Sequence, residues 1–188
     1  MLRTILILVG LAMLISCSSP LMTGAQVFYD RQSLHEDISN HQLQVKANHA
    51  LFDHYPRLRR ENNVSIITFN KVILAVGQVK TAEDKELVTR TLSSLKGAVK
   101  VYNELTVGAN ISFVQQLKDS VITGKMRARL LVENGIDPKN FKVVTENGVM
   151  YILGDVKKPA ANTVVQLAKN ISGVQKVVKV FRFYKYIS

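Results

Sequence analysis

The 188-residue chain has only one cysteine and lacks the short motifs that carry catalytic chemistry. A single cysteine excludes an internal disulfide. Neither a glycine-rich phosphate loop nor the tight turn that exposes a catalytic serine occurs. All four histidines precede the first predicted hairpin, and the separation of His49 and His54 does not fit a zinc motif on one helix face. We therefore expect no enzyme activity, no catalytic residue, no metal and no cofactor.

Acidic residues are also scarce, because 14 Asp and Glu stand against 25 Lys and Arg and leave a net charge of +11. Such an excess favours anionic partners, namely nucleic acid, anionic lipid or lipopolysaccharide. The hydrophobic fraction of 47% and the charged fraction of 21% fit neither a disordered chain nor a protein with many membrane spans. The length suffices for one or two small domains with a modest core in each.

The N-terminus begins as a signal peptide does. Arg3 precedes an apolar run from Ile5 to Ile15, which is too short for an ordinary membrane-spanning helix. The sequence Leu14-Ile15-Ser16-Cys17 follows and resembles the lipobox of bacterial lipoproteins, in which the chain is cut before the cysteine and the cysteine is lipidated. An ordinary signal peptide with a chance cysteine is the alternative.

The lipobox predicts an acylated mature protein that begins at Cys17, with palmitate among the attached chains. Residues 1–16 form the predicted signal peptide and residues 17–36 a lipidated tether, since Ser18-Ser19-Pro20 breaks regular structure. Ser18, rather than Asp, follows the cysteine. By resemblance to enterobacterial sorting rules this implies transfer to the periplasmic side of the outer membrane.

A β-hairpin pattern occurs twice in the chain. Two β-rich runs flank Asn147-Gly148, a pair that favours the positive φ angles of a type I′ turn, and the second run ends at Gly154. An earlier copy surrounds Asn70 and ends at Gly77. Since 154 − 77 = 77, and the same shift places Asn147 on Asn70, one small unit is predicted to occur twice.

Each unit has helix and strand periodicities in the order α-β-β-α-β. We predict an α+β fold of two such units, each a two-layer sandwich with a three-stranded mixed sheet and both helices on one sheet face. The predicted boundaries are a first domain over 37–108, a linker over 109–116 and a second domain over 117–188.

The ends of several elements are also predicted. Apolar spacing indicates a first helix from Ile38 to Phe52, which Pro56 would end. Thr81 is expected to cap the next helix, and Val99–Val107 to form one last strand of the first unit. In the second unit, we expect Asp119 to cap the first helix.

At this point the sequence resembles the BON domain. The resemblance rests on the Thr-x-Asn hairpins ending in glycine and on the later segments Gly-Ala-Val-Lys-Val-Tyr-Asn-Glu-Leu and Gly-Val-Gln-Lys-Val-Val-Lys-Val. Two BON domains behind a lipobox are similar to outer-membrane lipoproteins. This implies a protein that is no enzyme, binds an anionic phospholipid such as phosphatidylglycerol, supports outer-membrane integrity and gathers at the cell division site.

Positive charge is concentrated in the second unit, where Leu117–Ser188 holds 13 basic and 5 acidic residues, so 13 − 5 = +8. Its first helix is therefore the predicted membrane-facing element. From the resemblance and from the pattern of this helix we predict its lipid contacts. They are Val121, Gly124, Lys125, Met126, Arg127 and Arg129. Alternatively, Val121 and Met126 belong to the core and the charges to a solvated face.

Two other interpretations stay open. The alternation of basic and aromatic residues from Phe181 to Ile187 suits base stacking, a lipid interface or a strand with one buried face. A periplasmic address argues against nucleic acid. The second functional class is a protein-interaction adaptor for the envelope machinery.

Overall fold

The computed structural model describes residues 38–183, which belong to one compact unit. The predicted signal peptide, Cys17 and the tether lie outside these residues, as do the last five positions. Within the described part, no helix combines the length and the apolar character needed to cross a bilayer.

The first domain contains helices and strands in the predicted order, with one short helix added. Its elements are α1 (residues 38–48, continued by a π-turn over His49–Asp53), α2 (Pro56–Glu61), β1 (Asn63–Phe69), β2 (Val72–Val79), α3 (Ala82–Ser93), β3 (Lys100–Asn103) and β4 (Thr106–Val107).

The second domain repeats this order with a longer first helix and a longer, unbroken last strand. Its elements are α4 (Phe113–Val132), a short 3-10 turn over Pro138–Asn140, β5 (Phe141–Glu146), β6 (Val149–Val156), α5 (Lys158–Lys169) and β7 (Lys176–Phe183).

Both sheets are mixed, as predicted. In each domain the two hairpin strands are antiparallel, and the last strand lies parallel to the second hairpin strand after a helical crossover. The turn residues Asn70, Lys71, Asn147 and Gly148 all have positive φ, between 46° and 73°. These angles confirm the predicted two-residue turn in both copies.

One expectation about element ends in the first domain is confirmed and one is wrong. The first helix ends before Pro56, and Pro56 itself starts α2 at the first helical position, where its missing N–H costs nothing. The last strand is interrupted between β3 and β4. Asn103 Oδ1 accepts a hydrogen bond from the Leu105 backbone N–H at 3.1 Å, and this local side-chain bond turns the chain out of the strand.

The caps of two helices give one confirmation and one correction. Thr81 caps α3, since its side chain accepts a bond from the Asp84 N–H. Asp119 is not a cap and lies inside α4. Ser112 caps α4 instead by accepting a bond from the Gln115 N–H, so that residues 113–116 of the predicted linker are helical.

Each sandwich has a core between its helices and one sheet face. In the first domain Ala47 of α1, Ile73 of β2 and Val88 of α3 are fully buried in one cluster. In the second domain Met126 of α4 and Val164 of α5 occupy the corresponding cluster. This placement matches the prediction that both helices of a unit cover the same sheet face.

The other faces of the two sheets pack against each other. Leu74 and Val76 of β2 share a buried cluster with Tyr151 and Leu153 of β6 and Val180 of β7. Because helices cover one face and the partner sheet the other, all eight residues of β2 are buried. The two BON-like units therefore form one four-layered body.

Polar contacts surround this sheet-to-sheet core. Glu146 Oε1 accepts hydrogen bonds from Asn63 Nδ2 and Gln78 Nε2, both at 2.9 Å, and so ties the second hairpin to the first domain. Burial raises the pKa of the Glu146 carboxyl, and the negative charge of Asp119 raises it further. The hydrogen bonds from Gln78 and Asn63 lower this pKa, but the raising effects are larger. Burial also raises the pKa of Tyr151 to about 12.

Candidate functional site

Helix α4 packs one face on the second sheet and exposes the other along its whole length. Ile122, Met126 and Leu130 form the buried stripe, with Asp119 and Thr123 beside it. Since successive residues rotate by about 100°, the opposite side presents a separate line of positions to solvent.

That exposed side is unusually apolar, and we call it the α4 ridge. Its members are large hydrophobic residues that are between 52% and 74% exposed, namely Phe113, Val114, Leu117, Val121, Leu131 and Val132. Gly124 lies on the same side, and no atom would meet a Cβ placed there. With twenty residues, α4 extends this surface over about 30 Å.

Basic residues flank the ridge. Lys118, Lys125 and Arg129 are exposed and lie on one side of the ridge, judged from the helical rotation. Arg127 lies on the other side and donates from Nη2 to the Val143 carbonyl oxygen of β5 at 3.3 Å. The helix therefore presents an apolar line with cationic borders, which is the pattern of a helix that lies in a membrane interface.

The predicted lipid contacts do not all lie on this surface. Val121, Gly124, Lys125 and Arg129 are exposed there, and Arg127 borders β5. Met126 has no exposed surface and belongs to the core of the second sandwich. The expectation that Met126 contacts lipid is therefore corrected, because a side chain on the buried stripe cannot reach a bilayer while the domain stays folded.

Three exposed apolar residues of the ridge were missed in the sequence. Phe113, Val114 and Leu117 precede Asp119, where the helix was expected to start. The sequence did contain a signal for this longer helix. Phe113, Leu117 and Val121 have the i, i+4, i+8 spacing of one helix face, and Ser112 is a suitable cap before them. The ridge thus contains an aromatic residue, Phe113, about two turns before Val121.

A groove runs beside the N-terminal half of the ridge. It has a volume of about 510 Å³ and lies between α4 and the loop after α5. Leu117, Val121 and Ile122 supply apolar lining, and Lys118 and Lys125 supply the charge. No carboxylate lines it, so the groove suits an apolar group attached to an anion.

Buried hydrogen bonds fix α4 against the second hairpin. Asp119 Oδ2 accepts from the Asn147 N–H at 2.7 Å, and its Oδ1 accepts from the Gly148 N–H at 2.9 Å. Thr123 donates to Thr145 Oγ1 at 3.0 Å. These bonds hold the exposed face of α4 in a fixed orientation relative to the sheet.

The histidines provide no competing site. His41, His49 and His54 are exposed, and His49 pairs with Asp53, while His35 lies outside the described residues. Among residues 38–183, no group of three or more His, Cys, Asp or Glu is arranged to hold a metal ion.

Comparison with known proteins agrees with the repeated architecture. The sequence profile of the BON domain matches residues 39–109 and 118–183. The chain is 33% identical over 160 residues to the outer membrane lipoprotein DolP of Haemophilus influenzae, which is 85% of this chain and 82% of that protein. It is 29% identical over 127 residues to the 21 kDa hemolysin of Actinobacillus pleuropneumoniae, covering 68% and 66% of the two chains. The protein therefore belongs to the BON domain family and carries two copies of that domain.

Proposed function

We propose that this protein binds anionic phospholipid, such as phosphatidylglycerol, through the α4 ridge of its second BON domain. The observation that carries the proposal is the exposed apolar line of α4 with lysines beside it. A water-exposed apolar surface of this length costs free energy, which insertion into the headgroup region would recover.

Two contributions would add at an anionic membrane. Each Val, Leu or Phe side chain that leaves water completely contributes about 1.5–3 kcal/mol. Each lysine or arginine close to acidic headgroups contributes about 1 kcal/mol. The apolar contribution gives membrane affinity in general, and the basic border gives the preference for negative lipid.

The N-terminus and one relative support a place of action at the outer membrane. Cys17 stands in the lipobox-like sequence, and the Haemophilus influenzae relative is called an outer membrane lipoprotein. We infer that Cys17 is acylated and anchors the chain on the periplasmic side of the outer membrane. There a protein that is not an enzyme would support outer-membrane integrity, with the division site as one place of accumulation.

Substitution of Val121 on the ridge, compared with a control valine in the first domain, tests the proposed lipid site. Val121→Glu places a carboxylate on the ridge, and we expect it to weaken binding to phosphatidylglycerol vesicles by about tenfold. The measurement is cosedimentation of residues 18–188, which lack the acyl anchor inferred at Cys17 and keep the compact unit from Asp37 onward. Adding Leu117→Glu should abolish the remaining binding. Vesicles of phosphatidylcholine alone should bind the unmodified chain more weakly.

The matched control is Val107→Glu in the first domain. Val107 is 53% exposed and Val121 57%, so the two substitutions change equally accessible valines. Val107→Glu should leave vesicle binding unchanged. If both substitutions weaken binding alike, or if neither does, the α4 ridge is not the lipid site.

A further inference from the structure

A second groove lies on the second domain, between α5 and the outer edge of β7, and we call it the β7 groove. It has a volume of about 300 Å³. Its apolar lining comes from valines and its border from three exposed lysines; the full lining is Val165, Lys169, Val174, Gln175, Lys176, Val177 and Lys179. Among the described residues, no carboxylate forms an ion pair with any of the three lysines.

The first domain shows how the same place is closed. A shift of 76, as in 173 − 97 for the matched glycines, pairs Asn103 with Lys179 and Thr89 with Val165. Asn103 Nδ2 donates to Thr89 Oγ1 at 2.7 Å and to the Lys85 carbonyl at 2.8 Å, both on α3. Valine and lysine cannot form the equivalent bond. Because Val165 and Lys179 replace the hydrogen-bonded pair Thr89 and Asn103, the β7 groove is open, whereas the corresponding place in the first domain is closed by that bond.

The same exchange keeps the edge of β7 straight. In the first domain Asn103 Oδ1 binds the Leu105 N–H and interrupts the last strand. With Lys179 at that position, β7 runs unbroken through eight residues that all pair with β6. Within residues 38–183, no strand pairs with its other side, so a row of N–H and C=O groups faces outward.

We propose that the β7 groove is a docking site for an extended acidic peptide segment of another protein. The segment would pair with the outer edge of β7 as an added strand, and it would lie between that strand and α5. Its aliphatic side chains would contact Val165 and Val177. Its carboxylates would meet Lys169, Lys176 and Lys179.

The chemistry of the groove favours this occupant over others. Outward-facing backbone groups of β7 are satisfied by a peptide backbone, which an acyl chain cannot supply. A second copy of this chain pairing through β7 would bring two rows of lysines together and is opposed by their charge. An acidic segment satisfies both the backbone and the lysines. A protein-interaction adaptor, the second functional class, would thereby have a specific surface that shares no residue with the α4 ridge.

Fluorescence anisotropy tests the proposal with the full chain held in phosphatidylcholine nanodiscs. The probe is a labelled peptide of about eight residues, matched to the length of β7. Its positions that face α5 alternate between Val and Glu, because Val177 and Lys179 lie on the same face of β7, and its other positions carry Thr and one Glu for Lys176. We expect Val165→Thr combined with Lys179→Asn, which imports the closing pair of the first domain, to weaken binding by about tenfold or more. Lys169→Glu tests the border alone and should also weaken it.

Lys142→Glu is the charge control, because Lys142 is an exposed lysine on the opposite edge strand β5. It should not alter peptide affinity, and a peptide with proline at alternate positions should not bind, since proline lacks the N–H that pairing needs. Failure of the Val-Glu peptide to bind, or equal binding to the closed variant, overturns the proposal. Loss of phosphatidylglycerol binding in the closed variant would assign the groove to lipid instead and overturn it too.

Discussion

Asp119 is a buried carboxylate that holds a hairpin turn in place. It is 3% exposed, accepts the N–H groups of Asn147 and Gly148, and also accepts a bond from Gln115 Nε2 at 3.0 Å. The three donors satisfy the charge of a carboxylate that has left water. Its role is therefore to join α4, which carries the ridge, to the sheet that supports it.

The first domain uses a weaker version of this contact. Asn40 of α1 accepts a bond from the Lys71 N–H at 3.3 Å, and Thr68 donates to the Asn40 carbonyl at 2.8 Å. A neutral amide makes one bond to its turn where the carboxylate makes two. The two domains thus share the contact between first helix and hairpin turn but differ in its strength.

Substitution of these two residues should show that difference. Asp119→Ala leaves two turn N–H groups without a partner and should lower the free energy of unfolding of the second domain by about 1–3 kcal/mol for each. Amide hydrogen exchange at Asn147 and Gly148, together with urea unfolding, measures the effect. Asn40→Ala should lower the free energy of unfolding by less, because only one turn N–H loses its partner. Equal exchange of Gly148 in the Asp119 variant and the unmodified chain would contradict this role.

At the scale of the element, α4 separates a folding surface from a contact surface. Met126 is fully buried while Val121, five residues earlier on the chain, is 57% exposed. Both are apolar, and only their angle around the helix distinguishes them. Substitutions on the two faces should therefore change different properties of the protein.

Met126→Ala should lower stability without weakening membrane binding. Removal of a buried Met side chain leaves a cavity and costs about 2–5 kcal/mol. Below the unfolding transition, cosedimentation with phosphatidylglycerol vesicles should equal that of the unmodified chain, whereas thermal unfolding should occur at a lower temperature. Lower vesicle binding by a Met126→Ala protein shown to be folded would return Met126 to the lipid contacts.

For the whole molecule, the sheet-to-sheet contact holds a half-buried titratable group. Glu146 sits between the domains, accepts from Asn63 and Gln78, and faces the charge of Asp119. Because burial raises its pKa above the ordinary 4.5, the folded protein favours the protonated carboxyl more than an unfolded chain does. The destabilising effect of the ionised group is present above the raised pKa and disappears as pH falls toward 4.5.

Glu146→Gln should therefore remove a pH dependence. The contribution of Glu146 should raise the free energy of unfolding of the unmodified chain, measured in urea, as pH falls from neutral toward 4.5. The Glu146→Gln variant should lack this contribution. The difference between the two proteins at each pH isolates Glu146 from other carboxylates. Parallel curves for the two proteins over this range would show that Glu146 does not titrate between the domains.

Local sequence patterns determined the repeated sandwich. Asn147-Gly148 dictates a tight turn with positive φ, and apolar spacing places Ile122 and Val164 on the inner faces of helices, since these signals act over a few residues. The same local character explains why the sequence located the basic helix yet misplaced its start, because Asp119 and Ser112 are equally good caps by residue type.

Only the tertiary structure decided which surfaces are free. The sequence left open whether Met126 faces the core or lipid, and the neighbouring sheet decided that it is buried while Phe113 and Leu117 are exposed. Packing of β2 against β6, and the open groove left by Val165 and Lys179, join residues far apart in the chain. Such contacts depend on the shape and charge of surfaces that meet only in the folded protein. The periodicity of a single segment therefore cannot predict them.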